Sequence, residues 1–131
     1  MIVTSIDDVT GTDREVRCPQ GGFTSFRLLL AKDGMGFSLH KTVIPKNPVP
    51  QHWHYKYHLE ACFCVSGRGQ LTRLSDRKTW DVGPGVLYAL NDHDDHTFLA
   101  VEDTILISVF NPPVTGIEVH QADGSYTESV I

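Results

Sequence analysis

The residues of this chain that can do chemistry are clustered. Seven histidines occur in 131 residues. His52, His54 and His58 fall within seven positions, and His93 and His96 form a second group. Glu60 follows in the run His58-Leu59-Glu60-Ala61-Cys62-Phe63-Cys64-Val65. In a strand, residues two apart point to one face, so His58, Glu60, Cys62 and Cys64 share a side. A carboxylate that opens an apolar strand is costly to bury unless it is ion-paired, hydrogen-bonded or bound to a metal. Imidazole near neutral pH also suits proton transfer. Other members of the cluster have plainer readings. His52, Trp53 and His54 read as the rim of an exposed loop. His93, inside Asn91-Asp92-His93-Asp94-Asp95, reads as a turn residue in a solvated acidic loop. Cys62 and Cys64 read as buried inert thiols rather than a redox or metal pair.

The elements that must position these groups are short and β-rich. Period-two alternation predicts strands over residues 26–31, 36–44, 58–65, 70–74, 78–82, 86–90, 96–101 and 104–110. Gly- and Asp-rich turns separate them, such as Lys32-Asp33-Gly34, Ser66-Gly67-Arg68-Gly69 and Gly83-Pro84-Gly85. Eight such strands suit a sandwich or barrel. Ser5-Ile6-Asp7-Asp8 offers a helix N-cap with early acids, so one short helix is expected near the start. Three prolines in residues 45–50 make a stiff spacer that delivers the chain into Gln51-His52-Trp53-His54. Nothing divides the chain, so residues 1–131 are expected to form one domain, and 40% hydrophobic content supplies an adequate core. The net charge of −5 is the wrong sign for a basic-patch binder of nucleic acid or anionic membrane. No window reaches the ~20 apolar residues of a membrane span, and the N-terminus lacks the order of a secretory signal. Three cysteines, Cys18, Cys62 and Cys64, cannot all pair, which fits a reducing cytoplasm.

The spacing of the two histidine groups resembles the paired motifs of the cupin superfamily. His52-x-His54 is followed by Glu60 and then Gly67, and Gly85 by Asn91, His93 and His96. The match departs from the superfamily pattern in the five-residue gap between His54 and Glu60 and in the missing glycine before the first group. Longer blocks are similar to the ectoine synthase family. They are Arg27-Leu28-Leu29-Leu30, Met35-Gly36-Phe37-Ser38, His54-Tyr55-Lys56-Tyr57-His58-Leu59-Glu60-Ala61 and Cys64-Val65-Ser66-Gly67-Arg68-Gly69. Further on come Gly85-Val86-Leu87-Tyr88-Ala89-Leu90-Asn91-Asp92-His93-Asp94-Asp95-His96 and Val109-Phe110-Asn111-Pro112-Pro113-Val114-Thr115-Gly116-Ile117-Glu118-Val119-His120. The resemblance implies an all-β cupin barrel, a double-stranded β-helix or jelly roll, with short N-terminal and C-terminal extensions. It implies a homodimeric hydro-lyase that uses Fe(II) to convert N-γ-acetyl-L-2,4-diaminobutyrate into the compatible solute ectoine. Metal ligands fall by that resemblance on Glu60, Tyr88 and His96, and a phenolate is a hard oxygen donor that iron accepts. It also implies a substrate pocket of Phe23, Arg27, His40, Thr42, Tyr55, His58, Ser108, Phe110, Glu118 and His120.

Ring closure of that substrate sets three tasks: deprotonating an ammonium, polarising an amide oxygen and protonating a departing hydroxyl. Tyr55, His120 and Glu118 are the expected proton-transfer groups. Arg27 can hold the substrate carboxylate as a fork. The chain departs from the family at Phe23, His40 and Ser108, where Trp, Asn and Cys are common. Two other readings compete: a related metal-dependent cupin enzyme acting on another small amide or diamino acid, and a non-catalytic cupin that binds a small ligand.

Overall fold

The computed structural model describes residues 1–118, 121 and 123–126. Helix α1 (Ile6–Val9) starts where expected, with a capping box: the Ser5 hydroxyl accepts from the Asp8 N–H (3.2 Å), and the Ser5 N–H donates to the Asp8 carboxylate (3.0 Å). Ten strands follow: β1 (Glu15–Arg17), β2 (Thr24–Leu29), β3 (Ser38–Ile44), β4 (Gln51–Trp53), β5 (Leu59–Ser66), β6 (Gly69–Arg73), β7 (Thr79–Val82), β8 (Leu87–Leu90), β9 (His96–Ala100) and β10 (Thr104–Asn111). They form a six-stranded sheet, β1-β2-β3-β10-β5-β8, and a four-stranded sheet, β4-β9-β6-β7. Every described pairing is antiparallel.

All eight expected strands are present, shifted by a residue or two. Two further strands were not anticipated. β1 holds one apolar residue in three, too few for a period to show. β4 follows Pro50 directly, and its Trp53 is buried against the core instead of lying on an exposed rim. The strand expected to run to residue 31 ends at Leu29, because a 3-10 turn (Ala31–Asp33) begins there and closes on Gly34 in the left-handed region.

The register explains why one inner wall is polar. Arg27 pairs with His40, His40 with Ser108, Ser108 with Cys62 and Cys62 with Tyr88, forming one row across the large sheet. The next row runs through Ser38, Phe110, Glu60 and Leu90. β3 alternates strictly, yet three of its four buried residues, Ser38, His40 and Thr42, are polar. Such a face lines a site more readily than it fills a core. The small sheet supplies the opposing apolar wall, with Trp53, Leu71, Val82 and Phe98 buried.

Phe98 is the hub of that wall. It is fully buried and stacks near Trp53 (centroids 6.3 Å) and Tyr88 (6.4 Å). Gly69 opposite must be glycine, because a Cβ there would stand 2.2 Å from the Phe98 ring. Phe98→Ala is therefore expected to cost about 3–5 kcal/mol of unfolding free energy. Urea denaturation checks this, and a loss below about 1 kcal/mol would contradict the packing described.

Candidate active site

Between the two sheets lies a small cavity of about 10 Å³, lined by Phe23, His40, Thr42, Ile44, Trp53, Tyr55, Glu60, Cys62, Tyr88, Leu106, Ser108, Phe110 and Tyr126. Six of these, His40, Glu60, Cys62, Tyr88, Ser108 and Phe110, come from the two rows of inward residues described above. Thr42 and Ser108 share a hydrogen bond (2.9 Å), which ties β3 to β10 inside the cavity. An open cleft of about 250 Å³ lies beside it, between β6, β7, β8 and β9, and includes Tyr88 and His96 in its walls. Tyr88 therefore belongs to both spaces.

Burial drives every titratable group here toward its neutral form. Glu60 is only 8% exposed, and burial pushes its carboxyl up to about 8, against hydrogen bonds from Cys62 and Ser108. Burial likewise lifts the Tyr55 and Tyr88 phenols well above their ordinary value, and the Tyr126 phenol up to about 12. His96 is pushed down to about 4 by burial, opposed by its hydrogen bond to the Asp94 carbonyl. His40 falls to about 3, by burial first and the Arg27 charge second.

Three histidines are held by specific partners. His96 Nδ1 donates to the Asp94 carbonyl oxygen (2.9 Å), leaving Nε2 as the lone-pair nitrogen, and that buried atom has no protein partner. His40 is clamped between two hydroxyls, Ser25 (3.1 Å, Nδ1) and Ser38 (3.2 Å, Nε2), and the Ser38 oxygen also accepts from the Val114 N–H (2.9 Å). His93, at φ 49°, bonds the Tyr55 carbonyl oxygen through Nδ1 (2.9 Å) and so pins the loop that carries Tyr55. Outside the cavity, His52 pairs with Asp95, and His54 lies 3.8 Å from the same carboxylate.

The structure brings Phe23, His40, Thr42, Tyr55, Glu60, Tyr88, Ser108 and Phe110 to one cavity. Arg27 is fully buried beside it, with its guanidinium 5.7 Å from the Tyr126 ring centroid and Nη2 donating to the Glu118 carbonyl oxygen (2.8 Å). His58 is buried 5.9 Å from both the Phe110 and the Tyr126 rings. Glu118 is fully buried. Its carboxylate accepts from the Thr115 N–H (2.7 Å) and hydroxyl (2.5 Å) and from the Gly116 (3.0 Å) and Ile117 (3.1 Å) N–H groups of its own turn. His120 lies outside the described residues.

Several lining residues carried no signal in the sequence reading. Trp53 and Cys62 were assigned to a rim and an inert pair, and Tyr126 lay in a stretch without periodicity. Tyr126 reaches the cavity because the C-terminal segment folds back over β4, where the His54 N–H donates to the Gly124 carbonyl (2.9 Å). Its ring then stands 5.1 Å from Tyr55 and 5.4 Å from Phe110.

Comparison with known proteins places this architecture. The chain is similar to an L-ectoine synthase of Bordetella petrii, with 50% identity over 128 residues covering 96% of this chain and 93% of that one. The crystal structure of ectoine synthase from P. lautus superposes with a TM-score of 0.86 at 36% identity, covering 100% of this chain and 93% of that chain. An RmlC-like cupin from Shewanella frigidimarina shares the fold, with a TM-score of 0.61 at 19% identity over 76% of this chain and 84% of that one. The sequence pattern described as ectoine synthase matches residues 1–130. A polar inner wall on one cupin sheet, an aromatic wall on the other, and a match along nearly the whole chain assign this protein to the ectoine synthase family.

Proposed function

We propose that this chain closes N-γ-acetyl-L-2,4-diaminobutyrate into ectoine with loss of water, inside the cavity between the sheets. The observation that carries the reading is the convergence of Glu60, Tyr88, Tyr55 and the polar β3 residues His40 and Thr42 on one cavity in a chain of this family. The α-ammonium gives up a proton, its nitrogen attacks the acetamide carbon, and the carbinolamine loses its hydroxyl as water. The proton removed at the start equals the one needed by the leaving hydroxyl, so a single positioned group can shuttle it. Tyr55 fits the donor half of that task, because its buried phenol keeps its proton at neutral pH. Arg27, whose Nε and Nη1 have no protein acceptor, is suited to hold the substrate carboxylate. His40, clamped by two serines and neutral, presents a fixed ring wall. The aromatic lining must part to admit the substrate, since a space of about 10 Å³ holds roughly one water.

The donor set fits a metal ion. His96 Nε2 is buried without a partner, its tautomer is fixed by the Asp94 carbonyl in the way metal-bound histidines are oriented, and Glu60 is a buried carboxyl whose charged form needs a compensating partner. Glu60, Tyr88 and His96 would hold it, with Fe(II) as the proposed ion. Among the described residues no three His, Cys, Asp or Glu side chains are already grouped around one point, so the phenol of Tyr88 is needed to complete the set. Such an ion supplies a Lewis acid for the amide oxygen.

We place the protein in the cytoplasm as a homodimer that makes an osmoprotectant. All three cysteines are free thiols, and among the described residues no helix is long and apolar enough to cross a membrane. The outer face of β5 and of the edge strand β8 exposes Phe63 (45%), Val65 (49%) and Leu87 (61%), with Phe63 opposite Leu87 in the register. An apolar face of this kind suits an isologous contact. Phe63→Asp is expected to convert the dimer to monomer in sedimentation; a wild-type monomer, or a variant that stays dimeric, would refute this interface. The activity itself is tested by incubating the purified chain with the acetylated diamino acid anaerobically, with and without Fe(II), and following ectoine by chromatography. Metal-dependent product is expected. A folded, metal-loaded sample that makes none would favour the reading as a cupin acting on another small amide or diamino acid.

A further inference from the structure

We propose that Tyr126 is a positioning residue for Arg27, its ring holding the buried guanidinium where it recognises the substrate carboxylate. The role rests on the reading of Arg27 as the fork for that carboxylate and adds a residue from the far end of the chain. Arg27 is 1% exposed, and among the described residues no acidic side chain forms an ion pair with it. Its Nη2 donates to the Glu118 carbonyl oxygen (2.8 Å), while Nε and Nη1 have no protein partner. A buried cation placed in this way needs a compensating group. The Tyr126 ring supplies part of it, because the guanidinium carbon lies 5.7 Å from the ring centroid, inside the range of a cation–π contact. Burial pushes the Tyr126 phenol up to about 12, so the side chain meets Arg27 as a neutral π face and not as an anion. The Nε and Nη1 hydrogens thereby stay available to a ligand anion.

The C-terminal segment is built to deliver this ring. The Gly124 N–H donates to the Gln121 carbonyl (3.0 Å) and the Gln121 N–H to the Ser125 carbonyl (2.7 Å), closing a tight turn with Gly124 at φ 83°. A Cβ on Gly124 would stand 2.6 Å from the His52 carbonyl oxygen, so the turn sits directly on β4. The Asp123 carboxylate accepts from Lys56 Nζ (2.7 Å) and from the Ser125 N–H (3.0 Å) and hydroxyl (2.6 Å). Tyr126 follows at once, 3% exposed and part of the cavity lining. It therefore joins the buried cation to the wall of the space in which the substrate is read to bind.

The test compares ring closure by the Fe(II)-loaded chain on two compounds, the acetylated diamino acid and N-acetyl-1,3-diaminopropane, which is the same molecule without its carboxylate. The readout is the ratio of their kcat/KM values, which general loosening of the site leaves unchanged. Wild type should prefer the acid by about 100-fold or more. Tyr126→Met, which fills the space without a ring face, should cut that preference by about tenfold or more, chiefly through a higher KM for the acid. Tyr126→Leu replaces it if the methionine variant does not fold. Tyr126→Phe keeps the ring and should stay within about threefold of wild type. If Arg27→Gln collapses the preference while Tyr126→Met retains it, or slows both compounds equally, Tyr126 does not position Arg27 and the fork stands. Tyr126→Phe as damaging as Tyr126→Met also overturns the ring contact. A preference that survives Arg27→Gln, or that wild type lacks, overturns the fork and this inference together. Wild-type protein that closes neither compound overturns the proposed reaction beneath both.

Discussion

Glu60→Ala and His96→Ala are each expected to abolish metal uptake and to lower turnover by about 10³-fold. Polarising a weakly electrophilic amide is worth several kcal/mol of transition-state charge stabilisation, and about 4 kcal/mol corresponds to that factor. Two features separate this outcome from simple misfolding. Glu60 is a buried carboxyl without an ionic partner among the described residues, pushed up to about 8 by burial. Glu60→Gln keeps the volume of this side chain and its capacity to hydrogen-bond, so the metal-free protein should keep its packing. His96 Nε2 makes no protein contact that alanine would forfeit, although the ring's packing beside Trp53 is lost. Metal analysis and kinetics on variants whose melting temperature matches or exceeds wild type, most cleanly Glu60→Gln, therefore read the site itself. Full activity with metal bound in Glu60→Ala would remove Glu60 from the site.

Tyr55→Phe is expected to keep the metal and the fold while lowering kcat by about 10²–10⁴-fold, the usual range for loss of a positioned proton donor. The ring packs against Phe110 (5.1 Å) and Tyr126 (5.1 Å), contacts that phenylalanine preserves. Only the hydroxyl disappears. Because burial holds the phenol protonated far above neutrality, its role is donation, and the alkaline limb of the rate profile should not report it. A variant within about tenfold of wild-type kcat would remove Tyr55 from the proton transfers.

The all-β architecture was legible because short β-rich runs recur along the chain, separated by turns rich in Gly, Asp and Pro. Glu60 was legible because a charge at the head of an apolar strand demands a partner. Tyr88 was not, since a tyrosine in a short strand looks like core until the register sets it opposite Cys62. Family resemblance alone singled it out. Trp53 and Tyr126 stayed hidden because each depends on a long-range closure, β4 onto β9 and the C-terminal segment onto β4, which no local period encodes. The turn that the Glu118 carboxylate closes was likewise hidden, because only three-dimensional hydrogen bonding reveals it.

Ring closure with loss of the amide oxygen is the central claim, and the fate of that oxygen tests it most directly. Substrate labelled with ¹⁸O in the acetamide carbonyl is incubated with the metal-loaded chain, and products are read by mass spectrometry. The account predicts unlabelled ectoine, with the label released as water. Labelled acetate beside free diaminobutyrate would show hydrolysis instead of cyclisation and would contradict it.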